Sequence, residues 1–425
     1  MTAQIDSEFD ARTDAPDPLR AAPDPVAAAH EHIEQTALLD GERGRVGLEL
    51  EFHLVDLAHP ERRPDWAEVQ ALAASLPAMP SGSSVTVEPG GQVELSTPPT
   101  PDVASSIAAL QADREVLRAG LAAAGFGAAP LGADPARPVR RVNPSGRYVA
   151  MEKHFAALGC AGPGKAMMSA TTALQINLDA GPRAGWQQRL GLIRSLGPVL
   201  VAASACSPYL GGRASGWRSM RQQAWHGIDH SRSDPVRGVE PTAAWASYAL
   251  TAPVMLVRDA ETSTAVTERV PFSSWLAGRA PIGRRPTLAD LDYHLTTLFP
   301  PIRPRGYVEI RCLDAVPDRW WPALAAFTVT LIDDAVAADR AAEVCEPVQD
   351  AWAIAARDGL TDPAVHKAVR GCMEVAANRC PPSLRPELEA YADLIERGRT
   401  PGDELRAHAE TAGPLAVLEE EAGAR

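Results

Sequence analysis

The chain has 425 residues, 45% of them hydrophobic, and carries a formal net charge of -13 at pH 7. That length allows one large domain or two to three ordinary ones. The acidic balance excludes nucleic acid or an anionic membrane surface as the main partner, because both need a basic face. Cys160, Cys206, Cys312, Cys345, Cys372 and Cys380 form no C-x-x-C pair and have no zinc-ligand spacing, so reduced thiols in a cytoplasm are the simplest reading. The acidic, polar N-terminus lacks the apolar stretch of a signal peptide, and there is no run of about 18 apolar residues to span a membrane.

Residues 1–26 contain D-A-P-D-P and A-A-P-D-P and are too poor in apolar side chains to bury themselves, which predicts a disordered tail. A single catalytic domain is expected over residues 27–425, helical from about residue 320. A helix is predicted over residues 26–40, followed by a strand over residues 46–54, V-G-L-E-L-E-F-H-L. A period of two puts Leu48, Leu50, Phe52 and Leu54 on one face and Glu49, Glu51 and His53 on the other. Glutamates at i and i+2 lie roughly 6–7 Å apart and repel unless a cation or proton compensates. An isolated E-x-E is most often a solvent-facing strand. The remaining strands change that reading.

After a helix over residues 65–76, residues 85–96 alternate on both sides of Pro89-Gly90-Gly91, a hairpin signal. In that register Glu88 faces Gln92, Thr86 faces Glu94, and Glu88 and Glu94 share a face. A long helix is predicted over residues 102–124, stopped by Gly125. A turn and second helix are predicted over residues 143–158. A strand over residues 168–179 presents Gln175 and Asn177 on its polar side, and a buried helix covers residues 184–205. The last strand, residues 307–313, places Glu309 and Arg311 on one face and Val308, Ile310 and Cys312 on the other.

These strands thus collect Glu49, Glu51, Glu88, Glu94, Gln175, Asn177, Glu309 and Arg311 on their polar faces, with no lysine among them. A solvated sheet face mixes in cations, since like charges directly opposite cost about 0.2–1 kcal/mol per pair. The alternative is a concave site in which hard cations neutralise the carboxylates. Glutamate oxygens suit Mg²⁺ or Mn²⁺, and the lack of a His/Cys cluster argues against zinc. Carboxylate-held Mg²⁺ beside an arginine points to nucleotide phosphates and phosphoryl transfer.

Two other signals are weaker. Residues 159–165, G-C-A-G-P-G-K, match the first seven positions of a P-loop, but Ala166 stands where Ser or Thr belongs and a helix precedes the run. His226 and His230 have i, i+4 spacing, yet Gly227 breaks the helix that a zinc pair would need.

The runs V-G-L-E-L-E-F, V-E-P-G-G-Q-V-E-L-S, G-R-Y-V-A-M, A-L-Q-I-N-L-D, S-M-R-Q-Q-A-W-H-G-I-D-H-S-R, H-L-T-T-L-F-P and G-Y-V-E-I-R occur in this order between about residues 45 and 335. Jointly they resemble the plant-type glutamate–cysteine ligases, most closely the ergothioneine-pathway branch of actinobacteria. The resemblance implies an α+β, glutamine-synthetase-like ligase fold, with a curled antiparallel sheet forming a partial barrel of polar inner face, surrounded by helices. It implies ATP and two or three Mg²⁺ ions, with Mn²⁺ as a substitute. The implied metal ligands are Glu49, Glu51, Glu94 and Glu309, with Glu88 and Gln175 in the same set; Gln175 stands where the bacterial glutathione branch has histidine. Glu309 and Arg311 are the implied catalytic pair. Arg221, Arg147 and Tyr148 fall where the family handles amino-acid substrates, and Asp229 and Arg232 match its D-x-x-R. The implied reaction joins the γ-carboxylate of glutamate to the amine of cysteine through γ-glutamyl phosphate and releases ADP. Alternatives are a ligase of this fold with another amine acceptor, or a nucleotide-binding regulator without catalysis. Expected partners are glutamate, cysteine and ATP, with neither nucleic acid nor membrane.

Overall fold

The computed structural model describes residues 17–259 and 262–423. Strands β1 (Val46–Asp56), β2 (Ser84–Val87), β3 (Val93–Ser96), β4 (Phe126–Ala129), β5 (Ala173–Leu178), β6 (Ile302–Pro304) and β7 (Val308–Asp314) form a seven-stranded sheet. All its pairings are antiparallel, in the order β6-β7-β5-β1-β3-β2, while β4 pairs with the far half of β1. The sheet stays open, and Pro304 is accommodated because β6 is an edge that needs no outward hydrogen bonds.

The alternation read from β1 separates two environments. Leu48, Leu50 and Phe52 on β1, Leu174 and Ile176 on β5, and Ile310 on β7 are completely buried. Helix α2 (Val103–Ala123) packs on β1 and helix α5 (Trp186–Ser204) on β7, while α7 (Trp321–Asp333) packs on both helices. Every residue of α7 from Trp321 to Ile332 is buried, as a helix apolar on all sides must be. Truncating Phe52 in this layer would cost about 3–5 kcal/mol. The opposite, polar face of the sheet floors a cleft. Helices α1 (Pro25–Ala37), α3 (Gly146–Ala157), α4 (Ala161–Ser169) and α6 (Met220–His226) all contribute residues to it or stand at its margin.

Two expectations need correction. The strand expected from residue 168 begins only at Ala173, because α4 runs to Ser169 and buries Met167 and Met168 by helical packing. The expected tail lies outside the described residues as far as residue 16, but the chain is built into the fold from Asp17. There Asp17 caps the helix Pro18–Ala21 and accepts from the Leu288 amide at 2.9 Å, and Leu19 is buried. Beyond α7 the described chain is helical, with the expected breaks at Asp362, which caps Pro363–Arg379, and at Pro381. No single helix among the described residues is long and apolar enough to cross a membrane.

Candidate active site

Sheet register brings the carboxylates together. Glu51 on β1 is directly opposite Glu94 on β3, Glu49 is opposite Gln175 on β5, and Glu309 on β7 is opposite Asn177. The hairpin has the expected pairing, with Thr86 opposite Glu94 and the Glu88 amide donating to the Gln92 carbonyl at 2.8 Å. Its turn is held close to the end of α4: a Cβ on Gly90 would lie 2.2 Å from the Ser169 carbonyl oxygen. Gly91 has φ +82°, which L side chains rarely adopt. The turn therefore fixes Glu88 over the sheet. Glu49, Glu51, Glu88, Glu94, Gln175, Glu309 and Arg311 all line one cleft of about 570 Å³.

Four of these glutamates have no guanidinium in ion-pair contact among the described residues. Burial, then Glu94 and Glu309, push Glu49 up to about 7. Burial, then Glu94 and Glu88, push Glu51 well above the usual carboxylate range. Glu88 and Glu94 are also raised, chiefly by burial. Their hydrogen bonds come from neutral donors: Asn177 Nδ2 to Glu49 at 2.8 Å, the Ala173 amide and Gln175 Nε2 to Glu51 at 2.9 and 3.1 Å, and the Thr86 and Ser96 hydroxyls to Glu94 at 2.9 Å each.

Glu309 is the exception. Arg303 donates to it bidentately, Nε to Oε2 at 2.6 Å and Nη2 to Oε1 at 3.1 Å, and Arg311 Nη1 lies 3.0 Å from Oε2. Burial alone would raise its pKa, but Arg303 and then Arg311 outweigh it and hold the carboxyl at about 2. Arg303 was not among the residues read from sequence. Its signal was the cross-strand register: the β6–β7 hairpin sets Arg303 opposite Glu309. Pro304, which cannot donate to a ladder, masks that edge strand in the sequence. Gln175 links the two halves, accepting from Arg311 Nη1 at 2.6 Å while donating to Glu51.

The arginines to which the resemblance assigns amino-acid substrates stand along the cleft wall. Arg221, in the first turn of α6, is buried and donates through Nη2 to the Arg311 carbonyl at 2.7 Å. Its Nη1 is buried with no hydrogen bond, 4.0 Å from Asp314 Oδ1. Asp314, at the end of β7, accepts from the Ser207 hydroxyl at 2.6 Å, the Ser219 hydroxyl at 2.9 Å and the Cys206 amide at 3.0 Å. Ser219 caps α6, and Ser207 accepts from the Arg221 amide, so the strand bearing Arg311 and the helix bearing Arg221 are locked together. Arg147 and Tyr148, at the start of α3, also line the cleft, with the Arg147 guanidinium 4.8 Å above the Tyr293 ring and bonded to the Thr296 hydroxyl at 3.0 Å.

Asp229 and Arg232 do not line the cleft. Arg232 is fully buried and donates to the carbonyls of Thr297 and Pro253 at 2.9 and 2.6 Å, while Asp229 pairs with Arg269 at 3.0 Å. Their geometry is that of a loop ion-pair anchor away from the cleft lining. Lys165 is exposed on α4 and does not line the cleft either.

An open antiparallel sheet with an acidic face flooring a cleft is the arrangement expected of a carboxylate–amine ligase. The chain belongs to glutamate–cysteine ligase family 2 (GCS2), which matches residues 45–421. It is 51% identical over 393 residues to the glutamate–cysteine ligase EgtA of Mycolicibacterium smegmatis, covering 92% of this chain and 93% of that protein. A chloroplastic glutamate–cysteine ligase of Medicago truncatula is more distant, 29% identical over 370 residues with coverage of 81% and 71%. In fold the chain is similar to a glutamate–cysteine ligase of Francisella tularensis solved in complex with AMP. The TM-score is 0.58 at 13% identity, with coverage of 90% of this chain and 88% of that one.

Proposed function

We propose that this ligase joins the γ-carboxylate of L-glutamate to the amine of L-cysteine, consuming ATP and giving γ-glutamylcysteine, ADP and phosphate. It acts as a single cytoplasmic catalytic domain serving ergothioneine or a related low-molecular-weight thiol. The observation that carries this reading is the cleft floor, where Glu49, Glu51, Glu88 and Glu94, buried or half-buried and with no guanidinium partner among the described residues, adjoin Glu309, held ionised by two. The substrates are supported by the names of relatives that match along most of both chains.

The donor set fits Mg²⁺, with Mn²⁺ as a substitute: the acidic cluster offers hard oxygens, and no His or Cys is among the residues lining the cleft. Glu49, Glu51, Glu88 and Glu94 would hold two or three such ions. When bound, they supply neutralisation of the nucleotide phosphates. Glu309, already contacted by Arg303 and Arg311, would join that set through a lone pair they leave open or by exchanging a guanidinium. Gln175 links Glu51 to Arg311 and keeps a second lone pair on its amide oxygen.

A carboxylate does not acylate an amine unaided, because an oxide is a poor leaving group. Transfer of the γ-phosphoryl group of ATP to the glutamate γ-carboxylate gives γ-glutamyl phosphate. The cysteine amine then attacks the acyl carbon, and phosphate departs with one former carboxylate oxygen. Arg311, fixed by Glu309 and Gln175, stabilises negative charge on the transferring phosphoryl and then on the tetrahedral adduct. Arg221, with one unsatisfied buried nitrogen, holds a substrate carboxylate, a role for which a planar fork is suited.

The test is ADP release with glutamate and each amino acid in turn, using glutamate labelled with heavy oxygen in its γ-carboxylate. Release dependent on both glutamate and cysteine, with one label per turnover in phosphate, is the expected result. AMP as product, or unlabelled phosphate, would refute the route, and preference for another amine would refute the acceptor.

A further inference from the structure

A second cluster of metal-ligating side chains lies outside the cleft floor. Helix α6 ends at His226, Gly227 breaks it, and a short helix starts at His230 with Asp229 as its cap. The break does not separate the two imidazoles. Their ring centroids are 4.8 Å apart at 75°, and His230 Nδ1 lies 2.8 Å from Asp234 Oδ1. The ligand atoms of His226, His230 and Asp234 all lie within 4.8 Å of one another, and all three residues are exposed. Beneath them the loop is pinned by buried Arg232, bonded to the Thr297 and Pro253 carbonyls and 3.6 Å from Asp229.

We propose that His226, His230 and Asp234 form a site for a divalent transition metal of the zinc type. Two imidazoles and a carboxylate are a borderline-soft donor set with open positions for water. Bonds of 2.0–2.1 Å to a tetrahedral ion place donors about 3.3 Å apart, which rotation of these exposed side chains can reach. Nitrogen donors distinguish this site from the cleft, whose oxygens select Mg²⁺. The site is mechanically attached to the cleft wall. His226 closes the helix that Arg221 opens, and Trp225 stacks edge-on against Phe299 at 5.6 Å and lies 5.7 Å from the Arg221 guanidinium. A bound ion clamps the end of that helix and alters the Michaelis constant for the substrate that Arg221 holds. This kinetic consequence rests on the function proposed above, whereas binding of the ion does not.

The test is calorimetric titration of the full chain with zinc chloride in excess Mg²⁺, without cysteine, whose thiol would compete. Wild type is expected to take up one more equivalent than the His226→Ala/His230→Ala double variant, and cobalt should give a visible ligand-field spectrum that the variant lacks. Both side chains are exposed, so the variant should melt like wild type, and its zinc-free ADP release should be unchanged. Equal zinc uptake by the two proteins, or no uptake by either, overturns the site. Zinc uptake by wild type alone with unchanged Michaelis constants for both glutamate and cysteine overturns the coupling to Arg221.

Discussion

The two halves of the cleft floor push the pKa of one residue type in opposite directions. On β1 and the β2–β3 hairpin, burial and mutual repulsion raise Glu49, Glu51, Glu88 and Glu94, whereas on β7 Glu309 stays ionised with a pKa of about 2. Glu49 and Glu94 are buried like Glu309, and Glu51 and Glu88 are half-buried, so exposure does not sort the raised from the depressed. Two guanidiniums within hydrogen-bond reach do. A polar strand face shows where carboxylates gather, but the charge opposite each decides whether it awaits a cation or already has one.

This contrast predicts opposite signs for two conservative substitutions. Glu309→Gln leaves the buried Arg303 guanidinium without its carboxylate. Breaking such a pair costs about 3–5 kcal/mol, so the metal-free melting temperature should drop and ligation should be lost. Glu51→Gln removes one of two facing carboxylates. The metal-free protein should therefore melt higher than wild type, even as ligation falls on the order of 10²–10³-fold. Thermal melts that moved in the same direction for both variants would break the comparison.

Smaller effects sharpen it. Arg221→Lys keeps the charge but loses the planar fork, and binding of the substrate whose carboxylate it holds should weaken by about 1.5–3 kcal/mol, the worth of a charged hydrogen bond. Unchanged Michaelis constants for both glutamate and cysteine would remove Arg221 from substrate binding. Lys165→Ala, on an exposed helical site, should leave the ATP Michaelis constant unaltered; an increase of 10²–10³-fold, on the scale of losing a key electrostatic contact, would revive the P-loop.

The acidic face was legible because strand alternation and one hairpin turn determine it locally: Glu49, Glu51, Glu88 and Glu94 meet in the cleft as the period of two requires. The pairing of Glu309 with Arg303 was not, because Pro304 concealed a short edge strand. Asp314 escaped for a different reason. Its partners Ser207 and Ser219 lie about a hundred residues away in sequence and converge only in the folded chain. Asp229 and Arg232 carried a family pattern whose spacing is equally that of a loop anchor, and only their burial away from the cleft separates the two roles. At His226 and His230 a helix-breaking glycine was a sound argument against one continuous helix but not against proximity, since the chain restarts a helix at once.

The central claim is that Glu49, raised to about 7 among carboxylates without a guanidinium partner, holds a proton near pH 6 in the metal-free protein and exchanges it for Mg²⁺. Raised from 4.5 to about 7, Glu49 binds more protons in the folded than in the unfolded chain across that window. Stability of the metal-free protein should therefore fall as pH rises through it, and stabilisation by Mg²⁺ should grow. The most direct measurement is calorimetric titration with Mg²⁺ near pH 6 in two buffers of different ionisation enthalpy, which counts the protons released per ion bound. The account predicts net proton release near pH 6, with the Glu49 share vanishing above pH 7. Mg²⁺ binding with no proton release near pH 6 would contradict it.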